Sequence, residues 1–170
     1  SEELLLEQKK VIDFCQQIKS GAIVSATGKQ FTDVVNIGIG GSQIGPEMVI
    51  HALKTYRTRL NIHFLSNIDP SDLSDTLEHL NPETTLFIVV SKSFSTLETL
   101  ENAVSAETWL RKHLRSGSAV EKHFVAVTSE TSKAERFSFQ FGYKFKIHDS
   151  IGGRYSFWGV AGISVILLWF

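Results

Sequence analysis

Hydrophobic positions along the chain fall into two alternating patterns. Short apolar runs rich in β-branched residues read as buried strands at Val34-Val35-Asn36-Ile37, Thr85–Val90 and His123–Thr128, and Asn61–Leu65 reads as a further strand. The segments between them repeat their apolar positions every three to four residues and read as helices. In the first helix Leu4, Leu5, Val11, Ile12, Cys15 and Ile18 form one stripe that ends near Gly21. Pro46 suits the first turn of a second helix running to about Tyr56, and Asp69-Pro70-Ser71 opens a third through Leu80, with Asp69 or Ser71 as its N-cap. A long amphipathic helix is predicted over Leu97–Leu114 and a short one around Ser132–Phe139. In Tyr143–Ile147, Tyr, Phe and Ile alternate with Lys144 and Lys146, the pattern of an edge strand with one wet face. A glycine-containing loop, Asp149–Tyr155, then leads to a last helix starting at Ser156.

Strand and helix alternate five times without a Pro/Ser-rich linker or internal repeat. That order predicts an α/β fold of three layers, doubly wound around a mainly five-stranded parallel sheet. The expected division is a helix and connector over residues 1–30 and the main domain over residues 31–170. Such sheets bind ligands in the crevice beyond their strands' carboxyl ends.

Composition narrows the chemistry. The 170 residues are 42% hydrophobic and 21% charged, as in an ordinary globular domain, and the net charge of −1 gives no general attraction to nucleic acid or anionic membranes. Any anion recognition must therefore be local. Cys15 is the only cysteine, which excludes an internal disulfide and suits a reducing cytoplasm; it reads as a packed helix residue. Histidines 51, 63, 79, 113, 123 and 148 are scattered with no i, i+4 pair, so no metal site is expected. The longest apolar run, residues 161–170, is about half what a bilayer crossing needs. It ends on Trp169-Phe170 with no capping residue, which predicts a piece of a longer protein, truncated at its C-terminal end.

Three loops fall at strand ends. Ser91-Lys92-Ser93-Phe94-Ser95-Thr96 is the most informative, because it joins a buried strand to a helix amino terminus, where free N–H groups and the dipole favour an anion. One hydroxyl would cap the helix; four hydroxyls and an ammonium exceed that need and point to a phosphate. The glycine loop Gly38–Gly45 fails as a dinucleotide motif, since Gln43 stands where the third glycine belongs. It also fails as a nucleotide phosphate loop, since Pro46-Glu47 replaces Lys and Ser/Thr. Asp69, beyond the next strand, keeps a ribose-binding alternative open. The third loop carries Gly152-Gly153-Arg154, whose glycines let backbone approach a ligand and whose guanidinium can stabilise developing negative charge. Its plainer alternative is a surface arginine paired with Asp149. Lys9-Lys10, Arg111-Lys112 and Arg115 read as solvated helix faces.

Together Asp33–Ser42 with Gly45-Pro46, Ser91–Thr99, and Gly152–Trp158 with Gly162 resemble the glucose-6-phosphate isomerase family, in its amino-terminal sugar-isomerase (SIS) domain of flavodoxin-like topology. The resemblance runs from about Phe14 to the end. It implies interconversion of glucose 6-phosphate and fructose 6-phosphate by a cytoplasmic homodimer without metal or nucleotide cofactor. It implies that Gly41 and Ser42 contact sugar, that Ser91, Ser93 and Thr96 hold phosphate with Lys92 and Ser95 alongside, that Gly153 belongs to the substrate-binding set, and that Arg154 stabilises the enediolate intermediate. Glu98 matches a carboxylate that supports a catalytic histidine. Ser93 and Ser95 stand where threonines are more usual, each keeping its hydroxyl, and Gly159-Val160-Ala161 departs from the usual packing pattern. The family's glutamate base and its ring-opening histidine and lysine would lie beyond position 170, the histidine coming from the partner subunit. The expectation is a chain that binds sugar phosphate and lacks turnover. The alternative is a regulatory sugar-phosphate-binding domain, against which stands Gly153-Arg154-Tyr155.

Overall fold

The computed structural model describes residues 2–53, 59–67, 69–114 and 119–169, without the side chains of Pro70, Arg154, Tyr155, Phe157, Leu168 and Trp169. Five parallel strands build one sheet: β1 (Asp33–Ile37), β2 (Asn61–Leu65), β3 (Thr85–Val90), β4 (Phe124–Thr128) and β5 (Tyr143–Lys146), in the order β2-β1-β3-β4-β5. β1 and β3 run side by side with Ile37 opposite Val89, and β4 follows with Val127 opposite Val90. The carboxyl ends of these three strands therefore lie next to one another at one rim of the sheet.

Helices cover both faces. On one, α1 (Glu2–Ser20) and α6 (Ile163–Trp169) place Val11, Phe14, Cys15, Ile18, Ile163 and Leu167 against Val34, Leu86, Ile88 and Val125. On the other, α3 (Pro70–Glu78) and α4 (Leu97–His113) place Leu77, Ala103, Ala106 and Leu110 against Val35, Ile37, Phe87 and Val89. Every β3 residue is buried, as a strand covered on both faces must be. The edge strand β5 alternates as its sequence predicts, with Phe145 buried and both lysines exposed. Its outward backbone N–H at Lys146 donates to Glu7 Oε1 of α1 at 2.8 Å, so α1 closes part of that edge.

Several boundaries differ from those predicted. Leu5 is exposed, and Phe14 takes a place on the buried α1 stripe. Helix α2 is Ile44–Ala52; the predicted extension to Tyr56 lies outside the described residues. Asp69 is the N-cap of α3, accepting from Ser71 N at 3.0 Å, and the helix ends at Glu78, short of Leu80. Helix α5 is only Thr131–Glu135, because Phe137, Phe139 and Phe141 leave it to pack with one another and with Phe94 and Phe124. The last helix begins at Ile163, not Ser156. Residues Gly153–Trp158 and Val160–Gly162 form two 3-10 turns separated by extended Gly159, where glycine's low helix propensity breaks the pattern.

Candidate active site

The loop after β3 is shaped by its neighbours. Ser91 N donates to Val127 O at 3.1 Å, extending the β3–β4 ladder by one bond, and Phe94 N turns back to Ser91 O at 3.2 Å. Phe94 adopts φ +46°, a left-handed conformation that costs a non-glycine residue about 1 kcal/mol. Its ring is 4% exposed and packs edge-on to Phe137 and Phe141, which holds the turn in place. Thr96 is the N-cap of α4, yet its side chain makes no capping bond to the helix; Thr96 Oγ1 instead lies 3.3 Å from Ser91 Oγ. Ser95 Oγ donates to Ser93 Oγ at 2.8 Å. The amino end of a 17-residue helix thus opens onto a ring of hydroxyls.

The loop after β1 approaches from the other side. Gly40 has φ +59°, which lets the chain turn sharply into a short 3-10 helix over Gly40–Ser42. A Cβ on Gly38 would meet Ser42 Cβ at 3.0 Å and Val90 O at 3.1 Å, so this glycine permits the β1 and β3 loops to touch. Asn36, fully buried in β1, donates from Nδ2 to Ser42 O at 3.2 Å and steadies the turn. The loop after β5 is joined by Lys92, whose Nζ donates to Asp149 O at 2.7 Å. Gly153 there has φ +58°, and its carbonyl accepts from Ser156 Oγ at 2.9 Å.

These loops enclose an open cleft of about 480 Å³, within the range of small-molecule sites. Ser42, Ser91, Lys92, Ser93 and Thr96 line it, with Asp149 at its side. An adjoining pocket shares Ser42 and Lys92 and adds Gly41, Gly152 and Gly153. The structure therefore brings together seven of the ten sequence-predicted residues. Ser95 reaches the cleft only through its bond to Ser93, and Glu98 is exposed in the first turn of α4, lining neither pocket. Arg154 enters the 3-10 turn after Gly152; its guanidinium, and with it the alternative pairing to Asp149, lies outside the described side chains.

Sequence reasoning missed five cleft residues. Thr99 in the first turn of α4 is 1% exposed and lines the cleft, and its Oγ1 has no hydrogen-bond partner among the described residues. Ser129 and Glu130, from the turn after β4, Ile39, and Val90 at the end of β3 complete the lining. Thr128-Ser129 repeats at the end of β4 the hydroxyl signature of Ser91, a signal that was available; Asn36 was visible as a polar residue inside an apolar strand run. Among the described residues no group of three or more His, Cys, Asp or Glu is placed to hold a metal ion.

A parallel sheet in this order, with its cleft at the ends of adjacent strands and hydroxyls around a helix amino terminus, defines a sugar-isomerase-type α/β domain. The chain belongs to the phosphoglucose isomerase family, whose model matches residues 3–169. It is 45% identical over 165 residues to a glucose-6-phosphate isomerase of Francisella tularensis subsp. tularensis (strain WY96-3418), covering 96% of this chain and 31% of that protein. The crystal structure of a glucose-6-phosphate isomerase from Chlamydia trachomatis D/UW-3/Cx superposes with a TM-score of 0.83 at 30% identity, over 98% of this chain and 30% of the other. The chain thus spans about a third of the length of these relatives. The sugar isomerase domain of an RpiR transcription factor from Sphaerobacter thermophilus shares the fold, with a TM-score of 0.57 at 19% identity over 98% of this chain and 81% of the other.

Proposed function

We propose that this chain is the phosphosugar-binding part of a glucose-6-phosphate isomerase. The observation that carries the reading is the cleft itself: hydroxyls of Ser91, Ser93 and Thr96 gather at the amino end of α4, beside a buried Thr99 hydroxyl that has no partner among the described residues, while Lys92 lines the same cleft with its ammonium on the Asp149 carbonyl. Hydroxyls and a helix terminus bind a phosphate dianion without a surplus of fixed positive charge, which suits a substrate that must leave again. Gly41 and Ser42, on the opposite wall, are assigned to the sugar. Arg154 is assigned to stabilising the enediolate and Glu98 to supporting a histidine outside these residues.

Aldose–ketose isomerisation moves a proton between adjacent carbons and needs a base within reach of one of them. We assign that step to the part of its relatives' length that this chain does not span, so the 170-residue chain binds phosphosugar without turning it over. Robust turnover would overturn that assignment and point to Glu130, a carboxylate that lines the cleft. The proposal extends to a metal-free homodimer in the cytoplasm, for which the supports are family membership and a lone, buried, unbridged Cys15.

Thermal denaturation tests the reading. Fructose 6-phosphate or glucose 6-phosphate at about 100 times Kd should stabilise the fold by roughly 2.7 kcal/mol, a shift of several degrees in Tm. Ser91→Ala should reduce the shift, and NAD should give none. Protection by NAD with none by phosphosugar would replace the reading with a dinucleotide site.

A further inference from the structure

We propose that Thr128, the last residue of β4, and Ser129, which follows it, are positioning residues that set the phosphate loop's peptide plane for anion binding. The inference rests on the phosphosugar reading above. Its basis is an unusual concentration of donors on one backbone oxygen. The Lys92 carbonyl accepts from Ser129 Oγ at 2.7 Å, from Ser129 N at 3.0 Å and from Thr128 Oγ1 at 3.0 Å. A carbonyl has two lone pairs, so three donors converging on it leave that oxygen little freedom to rotate.

The consequence follows from peptide geometry. No described peptide bond is cis, and in a trans peptide the N–H points away from the C=O. Sheet order puts β4 on one side of β3 and β1 on the other. With the Lys92 oxygen held toward the end of β4, the Ser93 N–H faces the end of β1, where Ser42 lines the same cleft. A flipped peptide would present a carbonyl oxygen to the anion in place of a donor. The next plane is fixed as well, because Lys133 Nζ of α5 donates to Ser93 O at 2.9 Å. Thr128 Oγ1 in turn accepts from Glu130 N at 3.0 Å, so the turn that makes the clamp is itself tied down. Thr128 is fully buried and cannot meet the ligand directly; it acts through Lys92.

The test is calorimetric titration of the 170-residue chain with fructose 6-phosphate and with inorganic phosphate, for the wild type, Ser129→Ala, Ser129→Thr and Thr128→Val. Each lost donor should weaken both ligands by roughly 3- to 10-fold, and Ser129→Thr, which keeps the hydroxyl, should restore wild-type affinity. The Ser93 amide resonance should move on phosphate addition in the wild type and much less in Ser129→Ala. Ser129→Ala with unchanged affinity and an unchanged Ser93 response overturns the positioning role while leaving the phosphosugar reading intact. A weakened Ser129→Ala that Ser129→Thr fails to restore also overturns it. A wild type that binds neither ligand overturns both.

Discussion

Thr99 shows how a single side chain separates stability from function. Its buried hydroxyl has no partner among the described residues, an arrangement that costs the folded state about 1–3 kcal/mol in lost solvation. Valine has nearly the same shape and no such penalty. Thr99→Val should therefore leave the ligand-free protein as stable as the wild type, or more stable by about 1 kcal/mol. The same substitution should shrink the stabilisation that fructose 6-phosphate confers. Paired melting curves with and without ligand check this, and a clear loss of ligand-free stability would show that the hydroxyl serves the fold. Cys15 is the contrasting case. Burial pushes its thiol up to about 12, so it stays protonated and unreactive where it sits.

At the level of elements, the far end of the sheet is held by His123, in the 3-10 turn before β4. Its ring is fully buried, lying 2.8 Å by Nδ1 from Thr85 O and accepting from Ala26 N at Nε2, 3.1 Å away. Those partners require the neutral tautomer protonated on Nδ1. Burial lowers its pKa below the ordinary 6.5, and the Thr85 carbonyl only partly opposes that. The unfolded chain therefore binds this proton more readily than the folded one. Stability from this group is complete above about pH 6.5 and is lost as pH falls from there through the depressed folded value. Melting temperature should drop between pH 7 and pH 5, and His123→Gln should flatten that slope whatever its absolute Tm. An equal slope in the variant would refute this role. The staple fixes the connector between α1 and β1, remote from the cleft.

The whole molecule explains which features its sequence discloses. Strands β1, β3 and β4 were legible because both faces of a parallel sheet are buried and their side chains must be apolar. The Ser91–Thr96 loop was legible because it carries more hydroxyls than a helix cap uses. The end of α5 and the start of α6 were not: Phe137, Phe139 and Phe141 are drawn away from the helix by Phe94 and Phe124, and extended Gly159 interrupts the run before Ile163. Nor were the assigned roles of Thr99 and Ser129 readable. These depend on register: only when Val90 sits beside Val127 does Ser129 reach the Lys92 carbonyl across the strand boundary. Asn36 likewise gains its meaning from the turn that returns Ser42 above it. A site assembled from several strand ends is a property of topology more than of any local motif.

The central claim is that a phosphosugar docks its phosphate at the amino end of α4. Crystals soaked with fructose 6-phosphate measure it directly. The account predicts phosphate oxygens within hydrogen-bonding distance of the Ser91, Ser93 and Thr96 side chains, with the sugar extending toward Ser42. Phosphate found instead in the cavity lined by His51, His63 and His79, beside strand β2, would contradict it.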